Sequence, residues 1–244
     1  MDSMPDDLDL DSLLFPEQLS LEEERNSSLA VSEYLINNSD SIDLSLYDKI
    51  IEVNTNDLIE HKEFSFTKID TNKLFEILNS KTEHINPQLF FPKIKHLNDL
   101  FWFLHNLNNM EPYNSKIIFN TNNEISELSN TLIEAAIFFQ FFDIVDENSN
   151  TFIITTSDFK TFKNKNIEEQ YLLFLQNIGA DKTARECITI QLNDPIYDKI
   201  SRKMIFNKLI DNHNIQEEHL ANNDITAIVN NVRYWYLDIR KYLL

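Results

Sequence analysis

Glycine is nearly absent from this chain: Gly179 stands alone among 244 residues. A single glycine excludes a glycine-rich phosphate loop, and with it the usual P-loop and dinucleotide folds. It also leaves no cheap way to build a nucleophile elbow. Turns must then be made by Asn, Asp and Pro, and asparagine is abundant here. Cysteine is equally scarce. Cys187 is the single one, so an internal disulfide and a cysteine-based metal cage are out, and it reads as a small buried hydrophobe. No run approaches the ~20 apolar residues of a bilayer span, and the N-terminus is acidic where a signal peptide would be basic. These absences predict a cytoplasmic protein with no membrane contact and no bound cofactor.

Basic residues are missing from one long stretch. From Ile117 to Phe159 there is no Lys or Arg, against Glu124, Glu127, Glu134, Asp143, Asp146, Glu147 and Asp158. The net charge of −19 is otherwise concentrated at the start, where residues 1–60 hold 16 acids against Arg25 and Lys49. Charge of this sign opposes nonspecific DNA binding, which rests on cations that neutralise phosphates.

What is present is apolar and aromatic: 42% hydrophobic residues and 11% aromatics are enough for a real core. Residues 1–26, MDSMPDDLDLDSLLFPEQLSLEEERN, interleave acids with Leu and Phe. They read as a solvated tail or as a docking segment anchored by Leu10, Leu13, Leu14 and Phe15. Residues 27–84 are mixed. Ser28–Ile36 suits a short helix, 64–69 alternates as a strand would, and Asp70 is placed to cap a helix over 72–78.

From residue 85 the pattern sharpens. Ile94, Leu97, Leu100, Phe101, Leu104 and Leu107 recur at helical spacing. A short strand follows at 116–119, then a helix with Ile125 and Leu128. A further helix is expected over 132–145, a turn at 148–150 and a strand at 151–155. Residues 158–178 read as one helix that Gly179 ends as a left-handed cap. Helices at 183–192, 201–210 and 225–243 complete the chain, the last with Ile225, Ile228, Val229, Val232, Trp235, Tyr236 and Ile239 on one stripe. The fold class predicted is mainly α with short β-hairpins (α+β).

The order helix, strand, helix, helix, hairpin is that of a winged helix. IKHLNDLFWFL, LIEAAIFFQFFDIVD, TFIITTSDFKTF, LNDPIYDKI and NNVRYWYLDI resemble the tandem winged-helix module of restriction and phage-defence proteins. The resemblance implies a winged-helix unit over 85–165 and a helix-turn-helix-like unit over 166–244, behind an acidic extension. Two departures stand out: the family's glycine after the wing strand is replaced near Ser157-Asp158, and the basic residues that would face DNA are mostly missing. In that family the module accompanies a nuclease or an ATPase, and no such domain is legible here.

Catalytic signatures are weak. Asp57, Glu60, His61 and Lys62 have the flavour of a metal-dependent nuclease without a clear strand to present them. Histidines 61, 84, 96, 105, 213 and 219 show no ligand spacing with an acid between. The chain therefore reads as a non-enzyme. DNA-binding candidates are Arg202, Lys203, Lys208, Arg233, Arg240 and Lys241, with Arg233 and Arg240 seven apart on one helix face. Phe138, Phe139 and Phe142, together with the aromatics at 101–103, exceed what one helix face can bury, so they are candidate contacts for a protein partner or a second copy. The function expected is an interaction subunit of a bacterial or phage nucleic-acid-handling system. The alternatives are a DNA-binding regulator using the C-terminal helix, or an acidic DNA mimic that inhibits a DNA-binding enzyme.

Overall fold

The structure, a computed structural model, describes residues 49–58, 60–62, 66–82, 91–110, 115–120, 126–147, 150–162, 165–193, 199–213 and 224–244. The strands are β1 (Lys49–Asn54), β2 (Ser115–Asn120), β3 (Phe142–Glu147) and β4 (Asn150–Thr155). The helices are α1 (Thr71–Leu78), α2 (Leu97–Asn109), α3 (Ser126–Phe138), α4 (Ser157–Lys160), α5 (Ile167–Ala180), α6 (Lys182–Asn193), α7 (Lys199–His213) and α8 (Asp224–Arg240). Among the described residues this is an α+β architecture: a four-stranded mixed sheet in the order β1-β2-β4-β3, accompanied by these helices. β1 runs parallel to β2, while β4 pairs antiparallel with both β2 and β3.

Local chemistry explains several boundaries. Asp70 caps α1 as expected, its Oδ1 accepting the Lys73 N–H at 2.8 Å. The stretch 158–178 is two helices rather than one. Thr156 caps α4, and α5 opens with a capping box in which Asn166 accepts from the Glu169 N–H while the Glu169 carboxylate accepts from the Asn166 N–H. Residues 66–68 are not a strand either. Ile69 instead ties the chain end: its N–H donates to the Tyr242 carbonyl at 3.0 Å and its carbonyl accepts from the Leu244 N–H at 3.0 Å. Phe64 lies outside the described residues.

The expected helix over 132–145 also breaks in two. α3 ends at Phe138, and Phe142 to Val145 belong to β3. The stop is a Schellman motif. The Phe141 N–H reaches back to the Ala136 carbonyl at 2.8 Å and the Gln140 N–H to Ile137 at 2.9 Å. The left-handed position is Gln140, at φ 62°, where glycine is the usual occupant. The Thr156 hydroxyl donates to the Gln140 carbonyl at 2.7 Å and pins the turn. A non-glycine residue held left-handed costs roughly 1–2 kcal/mol. Gln140→Gly should therefore raise stability by about 1 kcal/mol, seen as a higher urea midpoint with an unchanged slope. A lower midpoint would mean that the glutamine side chain stabilises the turn.

The core is one apolar cluster. It draws Val53 from β1, Leu74, Ile77 and Leu78 from α1, Phe101 and Phe103 from α2, Phe142 from β3, Phe174 from α5 and Trp235 from α8. Phe101 meets Tyr171 edge-on at 5.0 Å, and Phe141 stacks on Phe174 at 6.0 Å. The described parts of stretches 27–84, 85–165 and 166–244 thus share a single core. Among the described residues, no helix is long and apolar enough to cross a membrane.

Candidate functional site

The six candidate DNA-binding residues sit on α7 and α8 and just beyond. α8 packs on α2, α6 and α7, and its stripe of Ile228, Val229, Val232, Trp235, Tyr236 and Ile239 is buried as expected. Lys203 and Arg240 are exposed, whereas Arg202 and Arg233 are half-buried. Lys208 and Lys241 are answered by carboxylates of the same chain. Lys208 lies 3.2 Å from Glu186 on α6, and Lys241 lies 3.1 Å from Asp238. The Lys241–Asp238 pair is local in sequence, whereas Glu186 reaches Lys208 only through the packing of α6 on α7.

The aromatic candidates require a correction. Phe138, Phe139 and Phe142 are core residues, fully buried within the chain. Phe138 meets Phe91 at 5.5 Å, Phe139 meets Trp235 at 6.2 Å and Phe142 meets Phe159 at 5.6 Å. The surplus that looked too large for one helix is absorbed because α3 breaks at Gln140 and α5 and α8 close over the turn. Leu10, Leu13, Leu14 and Phe15 lie outside the described residues.

Histidine and carboxylate pairs gather where the start of α2 meets the end of α8. Asp238 is buried. One of its oxygens lies 3.3 Å from His96 Nδ1 and accepts the Asn98 N–H at 3.4 Å, while the other receives Lys241. A carboxylate from α8 therefore caps α2 from outside, at the end where orphan N–H groups and the helix dipole favour negative charge. Next to it His61 lies 2.9 Å from Asp99, and its ring faces Trp102 at 6.2 Å. Burial pushes the Asp99 carboxyl up from its ordinary value, and the neighbouring His61 pulls it back down. These are two separate clasps between elements. Among the described residues no group of three or more His, Cys, Asp and Glu side chains is arranged to hold a metal ion. The Cys187 thiol is buried and pushed up by that burial, so it is inert as a nucleophile.

A cavity of about 280 Å³ opens beside the α3 turn, lined by Lys81, Thr82, Phe139, Gln140, Asp158, Asn177 and Ala180. Its charges answer each other. Lys81 pairs with Asp158 at 2.8 Å, and the Asn177 amide donates to Asp158 at 3.3 Å and to the Phe139 carbonyl at 3.4 Å. Nothing in it couples a nucleophile to a base.

The β3–β4 hairpin is the acidic surface. It carries Asp143, Asp146 and Glu147 and no basic residue of its own. Thr151 donates to Asp146 at 2.6 Å, and the neighbouring strand sends Lys116 to Glu147. Burial pushes the Asp143 carboxyl up. A hairpin of this charge meets a phosphate backbone with repulsion and a basic protein surface with attraction. No protein-family model, no curated protein and no solved structure matches the chain.

Proposed function

We propose that this chain is a non-enzymatic interaction subunit on a tandem winged-helix plan, working through protein–protein contacts in a bacterial or phage nucleic-acid-handling system of the restriction or defence kind. The observation that carries the reading is the hairpin in the wing position with acids only. The plan is supported by the order α2, β2, α3, β3, β4 and by β2–β4–β3 pairing antiparallel. One helix, α3, stands among the described residues where the sequence suggested two. α5, α6, α7 and α8 supply the second unit, over 166–244. The burial of the phenylalanines moves the contact surface from aromatics to the acidic hairpin, so the partner's matching surface is basic.

The test is size-exclusion chromatography with light scattering, run at low salt with and without a random duplex. The expected result is no shift with DNA, together with a protein complex that Asp146→Lys with Glu147→Lys dissolves. The second reading, a DNA-binding regulator, draws on the exposure of Lys203 and Arg240. A duplex-induced shift that fades as salt rises, and that Lys203→Ala with Arg240→Ala removes, would put that reading first.

A further inference from the structure

Three helices end at one cavity. α1 stops at Leu78 and leads to Lys81 and Thr82, α3 stops at Phe138 and turns at Gln140, and α5 brings Asn177 and Ala180 in its last turn. Their meeting depends on Gly179. With no Cβ there, the Leu78 backbone comes against α5, and Lys81 arrives beside Asn177 and Asp158. Lys81 and Asp158 touch at 2.8 Å, their side chains 29% and 33% exposed, so one positive and one negative charge sit side by side. Neither is used up, because an ammonium has three donors and a carboxylate about four acceptor sites. Among the described residues Lys81 makes this one contact, and a single Asp158 side-chain oxygen serves both Lys81 and Asn177. Asn177 is 3% exposed, and both its side-chain hydrogen bonds come from the amide nitrogen. Its oxygen accepts from no described group. A side chain this deep rarely leaves an acceptor unmatched. Gln140 borders the same space in its left-handed conformation, and strain of that kind gathers at ligand clamps.

We propose that this cavity binds a free α-amino acid or a molecule with the same zwitterionic head. The ligand's carboxylate meets the Lys81 ammonium, and its own ammonium meets the second Asp158 oxygen and the Asn177 oxygen. The two charges of the site touch, so those of the ligand must also be adjacent, as they are across a single carbon. A ligand of one sign would face a wall of like charge, whereas a zwitterion answers both. The carbonyl ends of three helices add partial negative charge around the ammonium. Size agrees, since about 280 Å³ falls just under the ~300–1,000 Å³ of pockets for drug-sized ligands. Phe139 and Ala180 supply an apolar wall for the ligand's side chain. None of these residues belongs to β3 or β4, so the site is separate from the acidic hairpin.

Isothermal calorimetry on the full chain tests this, with the common L-amino acids as probes, one at a time. At least one should bind saturably, with a Kd of about 1 mM or tighter. Acetate and ethylamine carry one charge each, and γ-aminobutyrate holds its two charges apart. Each of these should bind at least ~10-fold more weakly. Lys81→Met should weaken amino-acid binding at least ~10-fold, and Lys81→Arg should keep most of it. Because loss of the ion pair could unfold the chain, a Thr82→Cys variant reads the site with Lys81 and Asp158 in place. The saturating amino acid should slow alkylation of the new, exposed thiol about fivefold or more, since a pocket ligand screens what it lies against. Cys187, buried and free, stays unreactive throughout and reports that the chain is folded. Absence of binding by every amino acid overturns the proposal. So does binding that survives Lys81→Met unchanged, or a Thr82→Cys rate that the ligand leaves as it was. Acetate held as tightly as the amino acid would make this a site for simple anions and would equally overturn it.

Discussion

Gly179→Ala should destabilise the protein by about 2 kcal/mol, although alanine is the better helix former. Gly179 lies inside α5, with no left-handed conformation, and α5 packs on α1. A Cβ at this position would meet the Leu78 carbonyl oxygen at 2.3 Å, its Cα at 2.5 Å and its carbonyl carbon at 2.7 Å. These are backbone atoms and cannot rotate away as a flexible side chain would. α1 must move instead, and with it Leu74, Ile77 and Leu78, which are buried in the core. Overpacking costs typically ~1–3 kcal/mol, and contacts this short with backbone belong at its upper end, so ~3 kcal/mol stands against the ~1 kcal/mol that alanine gains in helix propensity. The steric effect therefore wins. Urea unfolding checks this: the midpoint should fall with an unchanged slope, and Gly179→Val should fall further. A midpoint at or above that of the unaltered protein would mean that α1 and α5 do not approach so closely.

The larger loss is expected from Trp235→Ala, at roughly 3–5 kcal/mol. Trp235 is fully buried on α8. Its ring stacks on Phe91 at 5.4 Å and meets Phe139 at 6.2 Å, and its indole N–H donates to the Ile94 carbonyl at 2.9 Å. One side chain thus joins the C-terminal helix to the lead-in of α2 and to the end of α3. Removing it leaves a cavity and a carbonyl that has lost its donor, and whole domains are stable by only about 5–15 kcal/mol. Trp235→Phe separates the two contributions. It keeps most of the buried area and forfeits the hydrogen bond, so its loss should be the smaller, about 1–3 kcal/mol. Thermal unfolding followed by far-ultraviolet circular dichroism would rank them. An alanine variant within 1 kcal/mol of the parent, less than the cost of one truncated core methyl series, would remove α8 from the shared core.

Both substitutions bear on how far local pattern reaches. The stripes of α2 and α8 were legible because a 3.6-residue period survives whatever the helix packs against. Asp70 was legible as a cap for the same reason: it bonds three residues away. Asn166 with Glu169 carries an equally local signature, a capping box that starts α5 inside the single helix expected over 158–178. The run from Thr131 to Val145 was different. Apolar residues on all sides fit a helix and a buried strand alike, and pairing with β4 decided where one became the other.

By itself the sequence determined the class, the main helices and the run of acids without a basic residue from Ile117 to Phe159, since each follows from composition or from bonds a few residues long. Tertiary structure alone decided three things. It made Gly179 a close contact rather than a cap, because Leu78 arrives from a hundred residues away. It turned Phe138, Phe139 and Phe142 from surface into core, because burial depends on which elements surround a side chain and not on its neighbours in sequence. It matched Lys208 on α7 to Glu186 on α6, and so reduced the positive charge that a count of basic residues had offered to DNA.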